Sequence, residues 1–153
     1  MRRLHKYLAL SPAGRAIVLR SLLLLPAVAA LLRVRGMEPA RAWLGRLRPF
    51  AADDASALAP REIAVLVGAA GALLRARCLP RSLVLWRLLR DRGSSAEIRL
   101  GVAKLADGSL SAHAWVEFGG APLNERADLL ERHAALPALA GRFTSSRPKT
   151  LSL

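Results

Sequence analysis

Two side chains in this sequence have the chemistry of an acyl-transfer site. Cys78 is the only cysteine, and it opens the run Cys78-Leu79-Pro80-Arg81-Ser82-Leu83-Val84-Leu85-Trp86. His113 follows 35 residues later, inside Ala112-His113-Ala114-Trp115-Val116-Glu117. A free thiol is mostly protonated at neutral pH and is a poor nucleophile. The first turn of a helix changes this, because unpaired backbone N–H groups and the positive end of the helix dipole favour the thiolate. Pro80 argues for such a placement, since proline suits a first turn and not a helix interior. Arg77 and Arg81 add positive charge nearby, and the same N–H groups could hold a developing oxyanion. Free cysteine is among the most buried residue types. What separates Cys78 from an ordinary core thiol is its position at a helix start, outside the apolar stripe.

A histidine base needs an acceptor for its second ring nitrogen. Leu110–Phe118 reads as a strand in which His113 shares a face with Ser111, Trp115 and Glu117, opposite the core-like face of Ala112, Ala114, Val116 and Phe118. Core packing is expected for Trp115. After Gly119-Gly120 the chain reverses, which brings Asn124 and Glu125 back beside the imidazole. Both residue types orient histidines in known triads. Glu117 and Asp128 are poorer candidates, and His5 and His133 read as surface residues. Three scattered histidines with one cysteine make no metal site, and neither an HExxH nor a phosphate loop is present. No cofactor is expected.

The elements that must carry these residues follow from periodicity and caps. Ser11-Pro12 is an N-cap followed by a first-turn proline, so a helix starts there and contains the apolar stretch Ala16–Leu32, with a bend expected near Pro26. Its uninterrupted apolar run from Leu22 to Leu32 is short of the roughly 20 residues that span a bilayer. A buried or partner-facing helix is therefore expected. A second helix covers Pro39–Leu47 with Trp43, Leu44 and Leu47 on one face. Residues 49–59 read as a linker. A third helix runs from Pro60 to about Ala76, where Gly68 and Gly71 either weaken it or let a neighbour approach closely. The fourth, Cys78 to Arg92, packs Leu79, Leu83, Trp86 and Leu89 on the core and ends at Gly93. The period then changes from 3.6 to 2 at Ile98, Leu100 and Val102. Asp107-Gly108 marks a hairpin turn, and a short strand is expected around Pro122-Leu123. Residues 126–139 read as a closing helix. Helices followed by an antiparallel meander make an α+β protein.

At 153 residues and 53% hydrophobic content the chain can bury one core. One cysteine forms no internal disulfide, which favours a cytoplasmic protein. The net charge of +13 is concentrated at the N-terminal end: residues 1–50 carry ten Arg and Lys against Glu38 alone. Such a field suits an acidic peptide, nucleic acid or an anionic surface. However, the charges are scattered through apolar helices and no nucleic-acid motif accompanies them.

The blocks Cys78-Leu79-Pro80-Arg81-Ser82-Leu83, Leu85-Trp86, Leu88-Leu89-Arg90, Gly93, Arg99-Leu100-Gly101-Val102, Ala112-His113-Ala114-Trp115-Val116-Glu117, Gly120 and Pro122-Leu123-Asn124 together resemble the transglutaminase-like leader peptidase of lasso-peptide biosynthesis. That family is the stand-alone peptidase half of the split B protein. The resemblance covers roughly residues 60–130. It implies a transglutaminase- or papain-like core in which a nucleophilic cysteine at a helix N-terminus packs on a small antiparallel sheet. It further implies a bacterial cysteine protease that removes the leader from a ribosomally made precursor. A small leader-binding protein delivers that precursor, and an asparagine-synthetase-like cyclase acts next. Cys78 then maps to the nucleophile and His113 to the base. The family's aspartate falls on Glu125, which has one more methylene, and Asn124 is the alternative orienter. The expected organisation is an N-terminal helical region (1–50), a catalytic core (60–140) and a basic flexible tail (141–153), with no nucleic-acid partner and no membrane contact. The competing readings are a transglutaminase-like acyl transferase and a non-catalytic basic peptide-binding protein.

Overall fold

The computed structural model describes residues 9–49, 58–105, 107–125 and 134–135. Among the described residues, four helices precede a four-stranded sheet: α1 (Pro12–Arg35), α2 (Met37–Arg46), α3 (Pro60–Leu73), α4 (Cys78–Arg90), β1 (Glu97–Lys104), β2 (Leu110–Phe118), β3 (Ala121–Pro122) and β4 (Ala134–Ala135).

Helix α1 starts where Ser11 caps it, its Oγ accepting from the Gly14 N–H at 3.1 Å. The helix continues through Pro26 to Arg35, longer than the apolar run alone suggested. By length and composition it is apolar enough to cross a membrane. Ile17, Ser21, Leu24, Leu25 and Val28 bury one stripe of it against α3 and α4. Ser21 sits in that stripe because its hydroxyl donates to the Ile17 carbonyl of the previous turn. Leu19, Leu23 and Val34 lie on exposed positions of the same helix.

Helix α3 begins at Pro60, and Glu62 accepts from the Ala59 N–H at 2.8 Å. It ends three residues before Ala76 in a Schellman turn. The Ala76 N–H bonds the Gly71 carbonyl and the Arg75 N–H bonds that of Ala72. Arg75 takes the left-handed conformation (φ 51°) that glycine usually supplies. This tight turn leads directly into Cys78.

Helix α4 is the centre of the protein. Rather than one buried stripe, it is buried at Pro80 and at every position from Ser82 to Leu89, because α1, α2, α3 and the sheet all pack on it. Burial on all sides includes Arg87, which is 3% exposed. Its guanidinium donates to the carbonyls of Leu44, Leu47 and Arg48 at the end of α2 and pairs with Asp91 at 2.9 Å. The buried charge is tolerated because every direction it points offers an oxygen. After α4 the chain turns at Gly93 (φ 71°), and the Ser94 N–H returns to the Leu89 carbonyl.

The sheet order is β3-β2-β1-β4, antiparallel throughout. In the β1–β2 register Gly101 faces His113 and Arg99 faces Trp115. The alternation expected on β2 is interrupted, since Ala114, Trp115 and Val116 are all buried. Trp115 is thus a core residue on the His113 side of the strand. Residues 134–135 correct one expectation. Placed in a closing helix from the sequence, they instead form β4 and pair with Val102 and Gly101. The remainder of 126–139, the tail 141–153 and linker positions 50–57 lie outside the described residues, as do His5, Asp128 and His133.

Candidate active site

Cys78 is the first residue of α4, and Arg77 before it is extended (φ −69°, ψ 169°). The Arg77 side chain makes no capping hydrogen bond, so no side-chain cap occupies the amide donors of the first turn. Pro80 has no N–H, and the Arg81 N–H is the first to bond back, to the Arg77 carbonyl at 3.3 Å. The donors facing outward from this turn are therefore the amides of Cys78 and Leu79. The thiol is free and partly exposed.

Arg81 and Ser82 follow Cys78 by three and four residues, so the three share one helix face. That face docks on the sheet. The Ser82 hydroxyl donates to the Ala114 carbonyl at 3.0 Å, next to His113 on β2. The Asn124 amide donates to Ser82 Oγ at 3.3 Å, and its oxygen accepts from the Val116 N–H at 2.7 Å. Cys78 stands one turn back along the same edge, about 6 Å of axial rise from Ser82.

His113 lies on β2 beyond the end of β3, which pairs only with Glu117 and Phe118. Residues 123–125 continue along this strand, with the Leu123 N–H bonded to the Val116 carbonyl at 2.9 Å. Their path brings Glu125 Oε1 to 3.0 Å from His113 Nε2. Asn124 faces Val116 and Ser82. The residue that meets the imidazole is Glu125, while Asn124 ties the segment to α4 and β2. Arg81 approaches the same carboxylate oxygen at 3.8 Å. Glu117 pairs instead with Arg99 of β1, at 3.3 Å.

Sequence alone assigns Ser82 no role, whereas Gly71 and Gly68 are the positions where it expects either a weaker helix or a close neighbour. A small polar residue directly before the apolar run Leu83–Trp86 of a central helix was the available signal for Ser82. Gly71 proves to be a point of close approach to Arg81, whereas Gly68 has open space around it. Among the described residues no group of three His, Cys, Asp or Glu side chains could hold a metal ion.

A cysteine-led helix docked on an antiparallel sheet that carries a histidine–carboxylate pair is the plan of the cysteine-dependent acyl-transfer enzymes. The profile of the Transglutaminase-like superfamily matches residues 22–137, and the chain belongs to that superfamily. The match begins inside α1, so it takes in the helical region as well as the sheet. No curated protein and no solved structure matches the chain. Membership points to cysteine protease or acyltransferase chemistry.

Proposed function

We propose that this protein is a cytoplasmic cysteine peptidase that removes the leader from a ribosomally made lasso-peptide precursor, with Cys78 as nucleophile, His113 as base and Glu125 as orienter. The observation that carries the reading is the 3.0 Å approach of Glu125 to His113 Nε2, beside a helix that starts at the only thiol. The motif blocks described above narrow the substrate from any acyl donor to a leader peptide.

In this reading the thiolate of Cys78 attacks the carbonyl at the leader–core junction, and the amides of Cys78 and Leu79 receive the oxyanion. The C–N bond breaks as His113 gives its proton to the departing core amine. This leaves the leader as a thioester on Cys78. His113 then takes a proton from water, and hydroxide adds to the thioester. The leader leaves with a free carboxylate and the thiol is restored. Glu125 holds the imidazole by Nε2 throughout, which directs Nδ1 toward the reacting groups. A small leader-binding protein would present the precursor, and an asparagine-synthetase-like cyclase would use the freed amine.

The same acyl-enzyme could pass its acyl group to an amine, which is the transglutaminase-like alternative. Mass spectrometry of products separates the two. With a lasso-peptide precursor and a leader-binding delivery protein supplied, hydrolysis gives an unmodified core and a leader ending in a carboxylate. A leader joined to an added amine would establish transfer. An intact precursor after incubation with the delivery protein would refute the peptidase reading and favour a non-catalytic binding protein.

A further inference from the structure

The geometry points to Arg81 as a positioning residue for Glu125, reaching it through a passage that Gly71 leaves open; this rests on the catalytic reading above and extends it. Glutamate stands where the resembled family has aspartate, so its carboxylate has one more rotatable bond to restrain. A single contact with His113 leaves that freedom largely intact. Arg81 supplies a second contact, at 3.8 Å from the same Oε1 that lies 3.0 Å from the imidazole. The guanidinium is 30% exposed and the carboxylate 22%, so the contact is partly shielded from water.

The route of the Arg81 side chain is specific. It leaves α4 across the last turn of α3, where a Cβ on Gly71 would fall 2.5 Å from Arg81 Cδ and 2.8 Å from Cγ. Both are atoms in the middle of the side chain rather than its mobile end. Alanine at 71 would therefore push the whole stem aside and carry the guanidinium off Glu125. Gly71 has an ordinary helical φ, so the space above it, not the backbone, calls for glycine here.

Alkylation of Cys78 by iodoacetamide, followed by intact mass in the full-length protein, tests this without a peptide substrate. The single thiol makes the signal unambiguous. The quantity to compare is the ratio of alkylation rates at pH 6 and pH 9. An ordinary thiol loses a few hundredfold in rate over this interval, whereas a thiolate held by an imidazolium loses far less. Arg81→Met keeps the packing over Gly71 but removes the charge, and should lower the pH 6 to pH 9 ratio about tenfold. Gly71→Ala should lower it in the same direction, and Arg81→Lys should restore most of it. Because Arg81 acts through Glu125, its effect should shrink by more than half in a Glu125→Gln background. A purely structural role would slow both rates alike and leave the ratio unmoved, which would overturn the inference. An undiminished Arg81→Met effect in the Glu125→Gln background would also overturn it, since Arg81 would then act on the thiol directly. A wild-type ratio already equal to that of an ordinary thiol, and unchanged by His113→Ala, would sink the catalytic reading itself. That failure is visible before Arg81 is touched.

Discussion

His113 and Glu125 meet at 3.0 Å although they lie on opposite sides of a hairpin whose last ladder pair is Glu117 with Pro122. The ladder stops before it reaches the imidazole. Two side-chain and backbone bonds continue its work, Leu123 N–H to Val116 C=O and Val116 N–H to Asn124 Oδ1. The carboxylate is thus delivered by a pseudo-strand in which an asparagine side chain replaces a backbone carbonyl. This arrangement separates the roles of two adjacent residues that look interchangeable from the sequence.

Glu125→Gln and Asn124→Ala should therefore fail differently. Glu125→Gln is expected to fold normally and lose at least about 100-fold in kcat, because the imidazole loses a charged partner for Nε2. Asn124→Ala leaves the Val116 N–H without its acceptor and should lose about 1–3 kcal/mol of stability. Its activity well below Tm should stay within a few-fold of wild type. Denaturant melts beside steady-state kinetics check both, and the opposite pattern would move the orienting role to Asn124.

Arg87→Met addresses how α4 is held. The guanidinium joins the carboxy-terminal carbonyls of α2 to α4 and pairs with Asp91, whose side chain is almost fully buried. Removing it strands Asp91 and three carbonyls, and the expected loss is about 3–5 kcal/mol. A second substitution, Asp91→Asn, should recover part of that loss by removing the unpaired charge. Thermal or urea unfolding of the single and double variants reads both values.

Arg75→Gly should stabilise the protein by about 1 kcal/mol. Arg75 occupies the left-handed position (φ 51°) of the Schellman turn that ends α3, where a Cβ is strained and glycine is not. A fall in Tm would show that the Arg75 side chain makes a compensating contact.

Acid should loosen the β1–β2 hairpin through Asp107. Its Oδ1 accepts from the Ser109 hydroxyl at 2.6 Å and the Ser109 N–H at 2.9 Å, and these bonds hold the carboxyl below the usual carboxylate range. The folded value is depressed relative to the unfolded one. The contribution is therefore fully present above the ordinary carboxylate value and is lost as pH falls through the folded one. Carbon-13 titration of Asp107 should show the low midpoint. Ser109→Ala should raise it toward the ordinary value, and an unchanged midpoint would assign the depression to another cause.

Much of this architecture can be read from local chemistry. Ser11-Pro12, Pro60 and Gly93 mark helix ends because caps act within one turn, and Asp107-Gly108 marks a hairpin for the same reason. Cys78 at a helix start follows from Pro80 alone. The features that escaped such reading depend on tertiary neighbours. Nothing local to Arg87 signals its burial, which depends on the three carbonyls that α2 places around it. Ala114 and Trp115 are buried as expected, but Ala112, placed on the same core-like face of β2, is exposed. The pairing of residues 134–135 with β1 is a long-range contact over an apolar, alanine-rich segment whose composition suits a helix equally well. At the candidate site, Cys78 and His113 stand out by type, but the choice between Asn124 and Glu125 required their side-chain geometry.

The most direct measurement is precursor cleavage by folded Cys78→Ala and His113→Ala proteins, assayed with the delivery protein and compared with wild type after circular dichroism confirms their folds. The account predicts that each variant loses at least about 1,000-fold in leader removal. Cleavage at the wild-type rate by either one would contradict it.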